Sequence, residues 1–259
     1  FHGRFGPAAV AIGYVAGAWF QCGLLWWRAR PLLKQAPAAD GPGGAELLGR
    51  LLPVLAYSIL VHLNAVVTRA FASTFGTGAV AGFDYSLRLL NVPLALLVVP
   101  LSSSLLSEIA ACRGERAGTA YGAMRRAALL TAVAAAAIAL AMGAAAPRFV
   151  AVLFERGSFG ALSTATVSAI LAGFAPALVA WSALELLSRS FFALGKPNVP
   201  IVAAAAVLLV NAGGCSELPI RAAGGIGVPA VLGFFAGAFI VAFHLRRLRQ
   251  EAEARPGFA

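Results

Sequence analysis

Apolar residues run along this chain in long blocks, separated by short stretches of glycine, proline and charge. Residues 51–108 show the pattern: two apolar runs joined at Gly76-Thr77-Gly78. Crossing the hydrocarbon core of a bilayer takes about 20 apolar residues, and each run is long enough. The same pattern predicts seven membrane-spanning helices, at about residues 7–27, 46–73, 77–107, 119–146, 162–194, 199–215 and 225–245. The third span carries Pro93 and Pro100, each of which removes a backbone donor and can bend a helix. The segment at 147–160 mixes aromatics with Arg148, Glu155 and Arg156 and is expected at the membrane interface. The stretch PAADGPGG at 37–44 has no apolar period and reads as a linker between two helix bundles.

Composition agrees with a membrane protein. Of the 259 residues, 60% are hydrophobic and 12% charged, with a mean hydropathy of +0.85. A soluble domain carries about 25% charged residues. The net charge of +10 does not call for nucleic acid here, because the basic residues flank the spans and set their topology. Alternate breaks hold Arg28, Arg30, Lys34 and Arg50, then Arg113, Arg116, Arg125 and Arg126, then Arg189 and Lys196, then Arg246, Arg247, Arg249 and Arg255. Those 14 cations fall on one side, against Arg4, Arg148, Arg156 and Arg221 on the other. The richer side is expected in the cytoplasm, with an odd number of spans and the C-terminal end inside. Because the chain begins at Phe1 and its only methionines are Met124 and Met142, it reads as part of something longer.

Charges inside the spans are the candidate chemistry. Arg88 lies ten residues from Gly78, or roughly 15 Å along a helix, near the middle of the slab. A charge at that depth is costly and should face protein or water. Asp84 lies four residues before Arg88 on the same helix face. The pair can be a cavity-lining couple in which Asp84 holds Arg88 until an anionic ligand competes, or a purely structural pair. Glu185 and Arg189 repeat the spacing, and Arg69 lies near the end of its span, where it can line a cavity or snorkel to the rim. His62 and Asn64, near the middle of the second span, offer a proton relay or an interhelical hydrogen bond; Asn211 offers the latter. Cys22, Cys112 and Cys215 are far apart and lack metal-ligand spacing, and His62 has no second ligand at metal spacing. No metal site, phosphate-binding glycine loop or hydrolase motif stands in the chain, so an enzyme has no support.

These stretches resemble the MurJ/MviN family of lipid II flippases, within the wider superfamily of multidrug, oligosaccharidyl-lipid and polysaccharide exporters. The resemblance runs from GYVAGAWFQCGLL (13–25) through LLPVLAYSILVHLNAVVTRAFAST and GAVAGFDYSLRLLNVPLALLVVPLSSSLLSE to VLFERGSF (152–159) and SRSFFALGKPNVP (188–200). It implies an all-α polytopic protein of about seven transmembrane helices, matching helices six to twelve of a two-bundle flippase. Residues 1–36 would close the N-terminal bundle, 37–45 form a cytoplasmic linker, and 46–259 form a six-helix C-terminal bundle with a short cytoplasmic tail. The implied activity is the flipping of an undecaprenyl-diphosphate-linked peptidoglycan precursor across the bacterial inner membrane. The implied partners are that polyprenyl-diphosphate-linked saccharide, membrane lipids and an N-terminal helix bundle. An essential cavity arginine of the family falls on Arg88, which would bind the diphosphate with Asp84 and Arg69 nearby. Some relatives use sodium in this half, but Thr68 and Asn91 stand where relatives carry acidic residues, which leaves ion coupling unsupported and the cofactor set empty. An exporter of another lipid-linked saccharide and a transport-inactive membrane scaffold remain alternatives.

The topology is testable directly. Single cysteines at Gly43 or just after Arg249 are expected to be shielded from an impermeant reagent applied outside the cell, whereas one at Ser158 should react. Outside labelling at Gly43 would reverse the assignment.

Overall fold

The structure, a computed structural model, describes residues 8–35, 44–111, 117–157 and 159–253. The linker at 37–44, Gly44 apart, lies outside the described residues, as do Arg4, Cys112, Arg113, Arg116 and Arg255. Among the described residues every regular element is helical. In chain order these are α1 (Ala8–Gln35), α2 (Gly44–Ala72), α3 (Ala79–Ala111), α4 (Ala117–Ala144) and α5 (Ala146–Phe154). They continue with α6 (Ala161–Phe174), α7 (Ala177–Ala193), α8 (Asn198–Glu217) and α9 (Val228–Glu253). Short 3-10 turns occupy Ser73–Phe75 and Ala223–Gly225.

The chain divides into two compact units, Phe1–Gly49 and Arg50–Ala259. In the first, α1 takes up the first expected span. Its Tyr14, Trp19, Phe20, Trp26 and Trp27 are exposed, and the Arg28 guanidinium stands 5.9 Å from the centre of the Trp27 ring.

The second unit is a helix bundle. Among the described residues, the parts of α2, α3, α4, α8 and α9 at 51–75, 79–106, 120–144, 198–217 and 223–251 are each long and apolar enough to cross a membrane. The expected fifth span is not one straight helix. It is broken into α6 and α7, which meet at 54°. The cause is local: Pro176 has no N–H to continue the ladder, and the chain turns at Ala175-Pro176. By contrast, Pro53 in α2 and both Pro93 and Pro100 in α3 sit inside unbroken helices. The hairpin between α2 and α3 turns on Gly76 and Gly78, whose φ values of 94° and 91° lie where a side chain would be strained.

Two apolar clusters form the interior. One gathers Phe83, Leu90, Val150, Ile170, Phe174, Leu178 and Ile226. The other gathers Leu105, Met124, Leu186, Phe191, Val207 and Val241. Phe234 packs against both and stacks on Trp181 with ring centres 5.1 Å apart. Outward-facing Leu129, Leu140, Val202, Leu209 and Phe239 are exposed and suit contact with lipid tails.

The tightest helix pair is α8 with α9. Its closeness has a simple basis that the pattern of spans does not reveal. Gly233 and Gly237, four residues apart, face α8, and a methyl group at Gly233 would lie 2.6 Å from the Val207 carbonyl oxygen. This is the small-residue spacing that lets membrane helices approach backbone to backbone. Gly233→Ala is therefore expected to force the pair apart and destabilise the bundle by about 1–3 kcal/mol. Gly213→Ala, where nothing lies within 4 Å, should not. Thermal unfolding of the two variants in detergent separates them.

Candidate functional site

A cleft of about 260 Å³ opens under α2, walled by α3, α7, α8 and α9. Its lining brings together four of the residues singled out from the sequence: His62, Asn64 and Arg69 from α2, and Glu185 from α7. Asn91 of α3 and the apolar Trp181, Val207 and Phe234 complete much of the wall. Asp84 and Arg88 do not line it.

The polar side chains are arranged differently from the expected pairing along α3. Asp84 does not hold Arg88. Its Oδ1 accepts a bond from Nε of Arg69 at 2.9 Å, across the α2–α3 hairpin. Helical spacing put Arg88 within reach, but the hairpin brings a second cation to the same carboxylate. Among the described residues Arg88 then has no hydrogen bond and no ion pair, and it is exposed. An arginine inside an apolar span is thus left without a counter-charge.

In the middle of α2, Asn64 does make the interhelical hydrogen bond. Asn211 of α8 is fully buried and donates through Nδ2 to Asn64 Oδ1 at 2.8 Å and to Thr68 Oγ1 at 2.9 Å. Thr68 in turn donates to the Asn64 carbonyl at 3.1 Å. Burying such groups without partners costs free energy, so the three satisfy one another. His62 takes no part: its Nδ1–H is directed at its own helix, 2.7 Å from the Ser58 carbonyl, and the ring is exposed. Asn91 also bonds within its helix, to the Leu87 carbonyl at 2.9 Å.

Nearer the start of α2, Arg189 Nη2 lies 2.9 Å from Glu185 Oε1, the expected four-residue pair. Glu185 Oε2 also accepts the Tyr57 hydroxyl at 3.4 Å, and the Tyr57 ring meets Phe192 edge-on at 5.4 Å. Tyr57 was not legible as a site residue on its own. The available signal is its spacing: Tyr57, Asn64 and Thr68 lie seven and four residues apart, one polar stripe on a helix otherwise facing outward. Among the described residues no group of histidine, cysteine and carboxylates is placed to hold a metal ion.

A bent, polytopic helix bundle with a polar cleft under one loosely buried helix belongs to the architecture of membrane transporters. The sequence matches the family model described as "Lipid II flippase MurJ" over residues 1–255, and the chain belongs to that family. It is a multi-pass membrane protein of a family of flippases, which move a lipid and do not transform it. The lipid II flippase MurJ of Burkholderia cenocepacia is 30% identical over 184 residues, covering 70% of this chain and 36% of that protein. The probable lipid II flippase MurJ of Rhizobium meliloti is 27% identical over 248 residues, covering 91% of this chain and 46% of its own length. A solved lipid II flippase MurJ in an inward closed conformation shares the fold, with a TM-score of 0.72 at 17% identity, covering 98% of this chain and 55% of that one. This chain thus spans about a third to a half of the length of its curated relatives.

The polar node at Asn211 yields a prediction. Asn211→Ala removes its hydrogen bonds to Asn64 and Thr68 of α2 and should cost about 1 kcal/mol, the scale of interhelical hydrogen bonds in bilayers. A cysteine at Ala65, in the cleft wall, should then react faster with a thiol reagent. An unchanged rate would show that the node does not hold α2.

Proposed function

We propose that this chain forms one half of a flippase for a polyprenyl-diphosphate-linked peptidoglycan precursor, with Arg88 as its diphosphate-binding residue. The observation that carries the proposal is the uncompensated guanidinium of Arg88, one helical turn from an aspartate already taken by Arg69. A cation at bilayer depth with no partner among the described residues suits an anionic ligand. Arginine suits this ligand in particular, because its planar fork donates two parallel hydrogen bonds to phosphate oxygens and it stays charged. The family membership and the fold shared with a flippase support the substrate class. The relatives are roughly twice as long or longer, which supports a second helix bundle facing this one. Rocking of the two bundles about a central site would then expose the headgroup to each side in turn. The membrane is the bacterial inner membrane, with the cation-rich end of the bundle and the C-terminus in the cytoplasm.

The roles of the neighbouring residues follow. Arg69 holds Asp84 and keeps the carboxylate from quenching Arg88. Glu185, Tyr57 and the Asn64–Thr68–Asn211 node fix α2 against the bundle and leave the cleft between them.

The test is made in a complementing flippase that carries these residues as its C-terminal half. Arg88→Ala is expected to lower delivery of precursor to the outer leaflet about 100-fold, and Arg88→Lys about tenfold, on the scale of lost charged hydrogen bonds. Membrane abundance should hold in both, since Asp84 keeps Arg69 as its partner. Normal transport by Arg88→Ala would remove Arg88 from the site, and loss of abundance would give it a structural role instead.

A further inference from the structure

A second cavity, of about 490 Å³, lies between α4, α7 and α9 and takes no part in the site above. It exists because the facing side chains are small. Ala132 of α4, Ala183 of α7 and Ala238 of α9 are among its lining residues, one from each helix, and leave room that three larger residues would have filled. Its mouth is cationic: Arg125 from α4 meets Arg246 and Arg249 from α9. Among the described residues, no carboxylate lines it and none pairs with Arg125 or Arg246. Along α9, the distance from Arg249 back to Ala238 is eleven residues, or roughly 16 Å at the helical rise. That is about half the ~30 Å hydrocarbon thickness, the reach of an acyl chain within one leaflet.

We infer that this groove binds an anionic phospholipid, with its phosphate on Arg125 and Arg246 and one acyl chain laid along the alanine-lined floor. Charge and depth together select the occupant. A soluble phosphate would use the arginines but leave the apolar floor empty. A second copy of this chain would bring the same arginines against themselves. Basic pockets between membrane helices recognise anionic headgroups, and the small-residue floor gives the tail a place that a merely basic surface lacks.

The control is built into the sequence. Arg126 and Arg247 lie next to Arg125 and Arg246 but do not line the groove, and Arg247 stands over the Phe243 ring at 5.7 Å. The purified chain in detergent is titrated with dioleoyl-phosphatidylglycerol or dioleoyl-phosphatidylcholine, and bound lipid is counted by native mass spectrometry. The wild type should retain the phosphatidylglycerol in preference. Arg125→Gln with Arg246→Gln should weaken it about 30-fold, on the scale of two lost basic contacts, whereas Arg126→Gln with Arg247→Gln should not, at the same change in net charge. Arg125→Lys with Arg246→Lys should keep most of the affinity. Ala132→Leu with Ala238→Leu, which fills the floor and spares the charges, should also lose the lipid. Equal loss in the two glutamine pairs would reduce the effect to general attraction and overturn the site. Equal retention of the two lipids, or full binding with the floor filled, would overturn it as well.

Discussion

A polar group at bilayer depth is costly unless it meets a partner in the protein or a water-filled cavity, and in this molecule that constraint decides how α2 is held. From Leu51 onward its residues are exposed or half-buried, except Asn64, Thr68 and Ala72, which are buried. Apolar surface gives little force for association when the surroundings are lipid tails. What ties α2 to its neighbours is a ladder of polar bridges: Tyr57 to Glu185, Asn211 to Asn64 and Thr68, and Arg69 to Asp84. These contacts run through side chains at a few positions, and a cleft remains beneath the helix. The α8–α9 pair shows the other solution, in which glycine brings backbones together and no space is left.

The choice of partner for Asp84 shapes the electrostatics around the α2–α3 hairpin. One carboxylate stands near two arginines and satisfies one of them. Pairing across the hairpin also ties the ends of α2 and α3 that Gly76 and Gly78 have already brought side by side. The pair is partly exposed, with side-chain exposures of 43% and 39%, so it is screened where water reaches it. Its consequence lies less in stability than in which cation is left over.

Much of the fold was legible because the bilayer writes a strong signal. Spans near 46–73, 77–107, 119–146 and 199–215 match α2, α3, α4 and α8 within a few residues, since hydropathy over some twenty positions averages out local exceptions. The last span was drawn too short: α9 continues to Glu253 through Arg246, Arg247 and Arg249, because a helix need not stop where the apolar run does. Proline was read less well. Pro53, Pro93 and Pro100 leave their helices whole while Pro176 breaks its span, and nothing within the sequence window distinguishes them. Of the candidate site, the residue types were readable, and so was the Glu185–Arg189 pair, which is local. The Arg69–Asp84 pair was not, because it depends on which helices adjoin; Asn64 and Asn211 were each expected to bond between helices, and what the sequence did not show is that they do so with each other. His62 drew attention by its type and turned out to bond its own backbone.

The bend at Pro176 has a consequence for how the chain threads the membrane. At 1.5 Å per residue, the 14 residues of α6 extend about 21 Å and the 17 of α7 about 26 Å. Neither reaches across a ~30 Å slab alone, and end to end the two are long enough for one crossing. The parity of the bundle depends on that. Counted as one, α6 and α7 return the chain to the side where α4 began, and α8 and α9 go out and back, so that α9 ends where α4 starts. Counted as two, α9 would end on the opposite face. Arg125 and Arg246 share the mouth of a single groove, which only the first count allows. A proline that shortens two helices thereby fixes on which side of the membrane everything after it emerges.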